Sequence, residues 1–130
     1  MIRAESADRP YLTSFTNGRH TASSDNTPDK GGQGAGFRPH ELLEAALASC
    51  MNMWLRMYAD NHQLPLEHVN TIVELKRDHP GEAVFEYEIA LEGPLTSEQK
   101  SKLLGISQTC PVRKTLSGTL SFSSAAATVP

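Results

Sequence analysis

The chain has little of what marks several large protein classes. Two cysteines in 130 residues are too few for a disulfide scaffold. No apolar run is long enough to span a bilayer, and Met1 to Pro10 contain no apolar stretch of the kind a secretory leader carries. Positive charge is not in excess. The 12 Lys and Arg stand against 15 Asp and Glu, a formal net charge of −3, which argues against nucleic acid or an anionic membrane as the main partner. No internal repeat, phosphate-binding glycine loop or nucleophile elbow is present, and His20, His40, His62, His68 and His79 form no paired metal-ligand motif with one another. A single domain with one sizeable core is expected, in the cytoplasm, where a lasting structural disulfide is not.

Strand, turn and helix signals divide the chain. Tyr11, Thr13, Phe15 and Thr16 favour strand, Asn17-Gly18 suits a type I′ turn, and Arg19 to Ser23 returns, so residues 11–23 read as an N-terminal hairpin. Residues 24–36 hold no apolar side chain larger than alanine and several glycines, and read as a flexible surface loop. Pro39 to about Gln63 reads as a long helix, with Pro39 in its first turn and Glu41 and Glu44 at its positive end. Its apolar residues point in nearly every direction, which requires burial by a wrapped sheet or a second subunit. Met51, Met53 and Met57 are then core filler rather than a metal or haem box.

Leu66 to Arg77 and Ala83 to Glu92 read as a second hairpin around His79-Pro80-Gly81-Glu82, with Phe85, Tyr87, Ile89 and Leu91 on its packed face. Thr96-Ser97-Glu98-Gln99 fits a capping box opening a helix through about Thr109. Pro111 ends that helix or starts a short new one across Val112 to Leu116 with Ser117-Gly118 as the stop, and Thr119 to Ser123 suggest a last strand. The fold class is therefore α+β.

The cysteines are the residues left to carry chemistry. Each also fits as a small buried hydrophobe. If Pro111 starts a helix, Cys110 is its N-cap, where backbone N–H groups lower a thiol pKa. Cys50 lacks that help and needs a cation, for which Arg19, Arg38 and Arg56 are candidates.

The segments Phe37 to Met51, Leu55-Arg56-Met57-Tyr58-Ala59, Leu91-Glu92-Gly93-Pro94-Leu95-Thr96 and Cys110-Pro111-Val112-Arg113-Lys114-Thr115-Leu116-Ser117 resemble the OsmC/Ohr family. This is the osmotically inducible protein C and organic hydroperoxide resistance group. The resemblance covers about residues 36–118 and lies closer to the OsmC-like branch. The motif P-x-E-L-L-x-A-A-L-x-x-C followed by C-P-V-x-x-T-L is more specific than either cysteine alone.

The resemblance implies one OsmC-like domain, with residues 37–124 as a helix-hairpin-helix core, and antiparallel sheets wrapped around a long buried central helix in an intertwined homodimer. It implies a thiol-dependent peroxidase with Cys50 as the peroxidatic residue and Cys110 resolving it as a disulfide. An external dithiol or dihydrolipoyl group reduces that bridge, and no metal, haem or flavin is involved. Arg19 matches the arginine the family sets beside its thiolate, with Arg38 as the other candidate. The family's orienting glutamate commonly lies ten residues before the reactive cysteine, where this chain has His40, with Glu41 next to it. Ten helical residues span about 15 Å, so contact would require a break near Pro39. Two further functions stand beside the peroxidase: a non-catalytic ligand-binding or redox-sensing protein on the same scaffold, and, more weakly, a thioesterase-like hot-dog enzyme.

Overall fold

Strand-forming residues on both sides of Asn17-Gly18 build an antiparallel sheet in the computed structural model, which describes residues 1–125. Its strands are β1 (Arg3–Ser6), β2 (Thr13–Thr16) and β3 (Thr21–Ser24), in that order, with Phe15 opposite both Ala4 and Ala22. β1 was not expected. It is exposed at every position, so it carries no apolar alternation to read.

The reversal after β2 is not the expected type I′ turn. Residues 17–20 form a longer loop closed by the Asn17 N–H on the His20 carbonyl at 3.3 Å, and of the Asn17-Gly18 pair only Gly18 has a positive φ, at +95°. Asn17 contributes its side chain instead, accepting from the amides of Arg19 and His20 at 2.9 and 2.8 Å.

Residues 24–36, expected to be flexible for want of apolar side chains, are organised by a buried carboxylate. Asp25 is 3% exposed, and it accepts from the amides of Asn26, Gln33 and Ala35 at 2.8, 3.1 and 3.0 Å. One 3₁₀ turn, Pro28–Lys30, lies inside the segment, and Ser24 bridges Phe37 in parallel. Two glycines make the packing possible. A Cβ on Gly32 would stand 2.1 Å from the Asn26 carbonyl oxygen, and one on Gly36 would stand 2.4 Å from that of Ser23.

Pro39 opens the long helix α1 (Pro39–Asn61), close to the expected span. Strands β4 (His68–Lys76) and β5 (Val84–Glu92) form the second hairpin, and Gly81 takes the left-handed φ of +78° in its turn. Along β5 the half-buried residues are Phe85, Tyr87, Ile89 and Leu91, the expected face. Helix α2 (Ser97–Ser107) starts with the complete Thr96–Gln99 capping box, and α3 (Pro111–Ser117) follows with Gly118 as its C-cap. The expected last strand is absent among the described residues. Residues 119–125 adopt no regular structure and expose Leu120 and Phe122, because the ladder a strand needs has no neighbour there. Residues 126–130, which close the expected domain, lie outside those described.

Mixed helices and antiparallel sheets make the fold α+β. The chain divides into two compact units, one of residues 1–46 and 73–86, the other of residues 47–72 and the chain from Tyr87 onward. The second unit has its own core of Leu55, Ala59, Leu66 and Leu103, with Ile89, Leu91 and Ile106 packed against it. Each leucine buried there contributes about 1.5–3 kcal/mol. Helix α1 buries one stripe, Leu47, Met51, Leu55 and Ala59, at four-residue steps. Met53 and Met57 are 64% and 53% exposed, so one chain does not enclose the helix on all sides as its composition demanded. Among the described residues no helix is long and apolar enough to cross a membrane.

Asp25 generates a pH prediction. The Ala35 amide, opposed by burial and helped by the Gln33 and Asn26 amides and the Arg9 charge, holds its carboxyl below the usual range. A folded pKa below the unfolded one stabilises above the unfolded value, about 3.9, and that contribution disappears as pH falls through the folded value. Asp25→Asn puts an amide where three N–H groups need an acceptor. Its thermal midpoint should lie below wild type at pH 7, and the gap should close as pH drops below about 4. A gap independent of pH would contradict the account.

Candidate functional site

The second unit brings the two cysteines together. Helix α1 carries Cys50 half-buried beside the fully enclosed Met51. The other thiol arrives from the corner between α2 and α3. Helix α2 stops at Ser107, Cys110 takes an extended conformation, and Pro111 begins α3 without losing a useful N–H. Cys110 is fully buried. Its sulfur accepts from the Arg113 amide at 3.4 Å, and it lies near enough to Cys50 for that thiol to act on its ionisation. Both cysteines are free thiols.

The N-cap placement of Cys110 matches the expectation, but its effect on the thiol does not. Burial pushes the Cys110 pKa up, and this outweighs the lowering by the Arg113 and Val112 amides. The neighbouring Cys50 pushes it in the same direction as burial. Cys110 therefore holds its proton more firmly than an ordinary thiol.

The arginines of this unit near the thiols in sequence are both engaged. Arg56 donates to the Leu66 carbonyl and pairs with Asp60 at 3.8 Å. Arg113 donates to the Tyr87 hydroxyl at 2.5 Å, with its guanidinium carbon 5.6 Å from that ring's centroid. A broad groove of about 940 Å³ in the same unit is walled by Tyr58, His62, Glu98, Lys102 and Ile106, and neither cysteine lines it. It is not the thiol site.

The remaining candidates belong to the first unit. Arg19 sits in the exposed loop between β2 and β3, and donates its amide to Asn17. His40 is the exposed second residue of α1. Glu41 acts as a cap at the start of α1. Its carboxylate accepts from the Arg38 amide at 2.7 Å and meets the Arg38 guanidinium at 3.3 Å. The amide and the guanidinium of Arg38 lower the Glu41 pKa against the opposing effect of burial. Arg38 and Glu41 thus occupy each other.

One feature of the thiol corner was missed in the sequence. The Trp54 indole N–H donates to the Thr109 hydroxyl at 2.9 Å. The partners are 55 residues apart, so no local pattern announces the bond.

The difference in burial predicts the order of alkylation. With both thiols reduced, limiting iodoacetamide at neutral pH should label Cys50 well before Cys110, read by peptide mass mapping. Equal labelling of the folded protein would contradict an enclosed Cys110.

Solved structures share this fold. An OsmC-like protein from Mycoplasma pneumoniae superposes with a TM-score of 0.76 at 18% identity, covering 91% of this chain and 86% of that one. An organic hydroperoxide resistance protein OsmC from Legionella pneumophila gives 0.64 at 22%, covering 91% and 88%. The organic hydroperoxide resistance protein OhrB of Bacillus subtilis gives 0.61 at 19%, covering 91% and 90%. Comparison with curated proteins gives no match. At such identities the structural likeness concerns the fold, but the family model for OsmC-like proteins matches residues 31–124, most of the chain and both cysteines included. The chain belongs to the OsmC-like protein family.

Proposed function

We propose that the protein is a thiol-dependent peroxidase that reduces organic hydroperoxides or hydrogen peroxide. The observation that carries the reading is the placing of Cys50 beside a fully enclosed Cys110 on whose thiol it acts. Several relatives of the same fold are named organic hydroperoxide resistance proteins, which agrees with it.

The chemistry follows from which thiol holds its proton. As a thiolate, Cys50 attacks the distal oxygen of the hydroperoxide. The S–O bond forms, the O–O bond breaks, and the alkoxide takes a proton and leaves as alcohol, or as water from hydrogen peroxide. Cys50 is now a neutral sulfenic acid. The negative charge that held the Cys110 proton is gone, so Cys110 becomes more acidic at the moment its thiolate is needed. Its sulfur attacks Cys50, an S–S bond forms, and hydroxide leaves as water with the Cys110 proton. An external dithiol, or a dihydrolipoyl group, restores both thiols by two exchanges and is itself oxidised to a disulfide. No step calls for a metal or organic cofactor.

The reading assigns the activating cation to Arg19. Arg38 is paired with Glu41 and Arg56 with Asp60, whereas among the described residues the Arg19 guanidinium has no acceptor. It also assigns Met53 and Met57 to an interface with a second copy, in a homodimer that completes the enclosure of α1. Glu41 keeps its capping duty, and His40 has no assigned step.

Stopped-flow consumption of cumene hydroperoxide with a dithiol tests the proposal. Cys50→Ser should abolish turnover, and normal turnover by that variant would end the reading. Cys110→Ser should react once and then accumulate Cys50 carrying two added oxygens, seen by intact mass. A wild-type chain that oxidises stoichiometrically but never turns over would point to redox sensing instead. Arg19→Ala should slow the first step by about 10- to 100-fold, the scale of losing one or two pKa units of thiolate stabilisation at a fixed pH, and Arg38→Ala should leave it near wild type.

A further inference from the structure

The corner that presents Cys110 is held to helix α1 at two points. One is the thiol contact itself. The other is the Trp54–Thr109 hydrogen bond at 2.9 Å. The two points are matched in both chains of residues. Trp54 follows Cys50 by one helical turn, so the two side chains leave the same face of α1 with about 6 Å of rise between them. Thr109 immediately precedes Cys110.

The bond is also directional. An indole N–H is a donor only. The Thr109 hydroxyl sends its own hydrogen to the Ile106 carbonyl at 2.7 Å, which leaves a lone pair for the indole. The Thr109 amide reaches the same carbonyl at 2.9 Å. The relay from indole to hydroxyl to carbonyl therefore fastens the last turn of α2, and with it the backbone that enters Cys110, to the helix that carries Cys50.

We propose that Trp54 and Thr109 are positioning residues whose hydrogen bond holds the Cys110 sulfur in register with Cys50, raising the effective concentration of one thiol at the other. The inference rests on the two-cysteine reading above. It concerns closure of the disulfide, in which two electrons and two thiol protons pass from the cysteine couple to an oxidant and the S–S bond forms. The tether is present while both thiols are free, so it prepares the closed state instead of resulting from it. Closing a ring whose ends are already in place loses less freedom than closing one whose ends must be found.

The measurement is the equilibrium of the Cys50–Cys110 couple in buffers of oxidised and reduced dithiothreitol, without peroxide. Trp54→Phe and Thr109→Val each remove the bond and should lower the closure constant by about five- to tenfold, a less negative potential by about 20–30 mV for a two-electron couple. Thr109→Ser keeps the hydroxyl and should stay at the wild-type value. Should Trp54→Phe fail to fold, the Thr109→Val and Thr109→Ser pair decides alone. An unchanged or more negative potential in Thr109→Val, or a Thr109→Ser that shifts as far as Thr109→Val, overturns the tether. Shifted potentials in a chain that consumes no hydroperoxide would sink the peroxidase reading and leave the tether standing. A wild-type chain that forms no Cys50–Cys110 disulfide overturns both.

Discussion

A fully enclosed thiol in contact with a second thiol is the constraint on which the functional half of this molecule depends. Burial alone would make Cys110 an inert hydrophobe. Its nearness to Cys50 couples its ionisation to a second thiol, which acts with burial to push its pKa up. The flanking structure serves this placement. Helix α2 ends just before the corner, Pro111 begins the next helix without an orphan N–H, and the Arg113 amide fixes the sulfur as a cap. A cysteine in mid-helix would have neither the turn nor the amide donor.

The first unit solves a different problem with a carboxylate. A segment without large apolar side chains gains little by burial, so its order must come from directed bonds. Asp25 gathers three amides from positions up to ten residues away, and the glycines at 32 and 36 let the backbone approach that such gathering requires. The N-terminus of α1 uses the same principle on a smaller scale, with Glu41 satisfying the Arg38 amide that the helix start leaves open.

The parts of this arrangement that could be read from sequence are those encoded by near neighbours. The Thr96–Gln99 box, the proline starts of α1 and α3, and the period-two face of β5 are local signals, and each appears where the residues require it. The N-cap position of Cys110 was legible for the same reason. The direction of its thiol pKa was not, because burial and Cys50 act through space while the capping amides are visible in the chain. Strand β1 is an exposed edge without pattern, residues 24–36 conceal their organiser in a single aspartate, and the Thr119 to Ser123 segment has strand-forming residues but no strand beside it. Local propensity names what a segment can do, and pairing decides whether it does so.

The exposed methionines of α1 show the same division at the level of the whole helix. Leu47, Met51, Leu55 and Ala59 repeat every fourth residue and form the stripe the chain can cover by itself. Met53 and Met57 belong to a different face, and a monomeric surface rarely leaves such side chains open on a helix already apolar elsewhere. Methionine is the apolar side chain best suited to an irregular surface, because its unbranched thioether adapts. The apolar excess of α1 is therefore best understood as two requirements written on one helix. One stripe builds the core of the second unit, and the other lies open on the single chain.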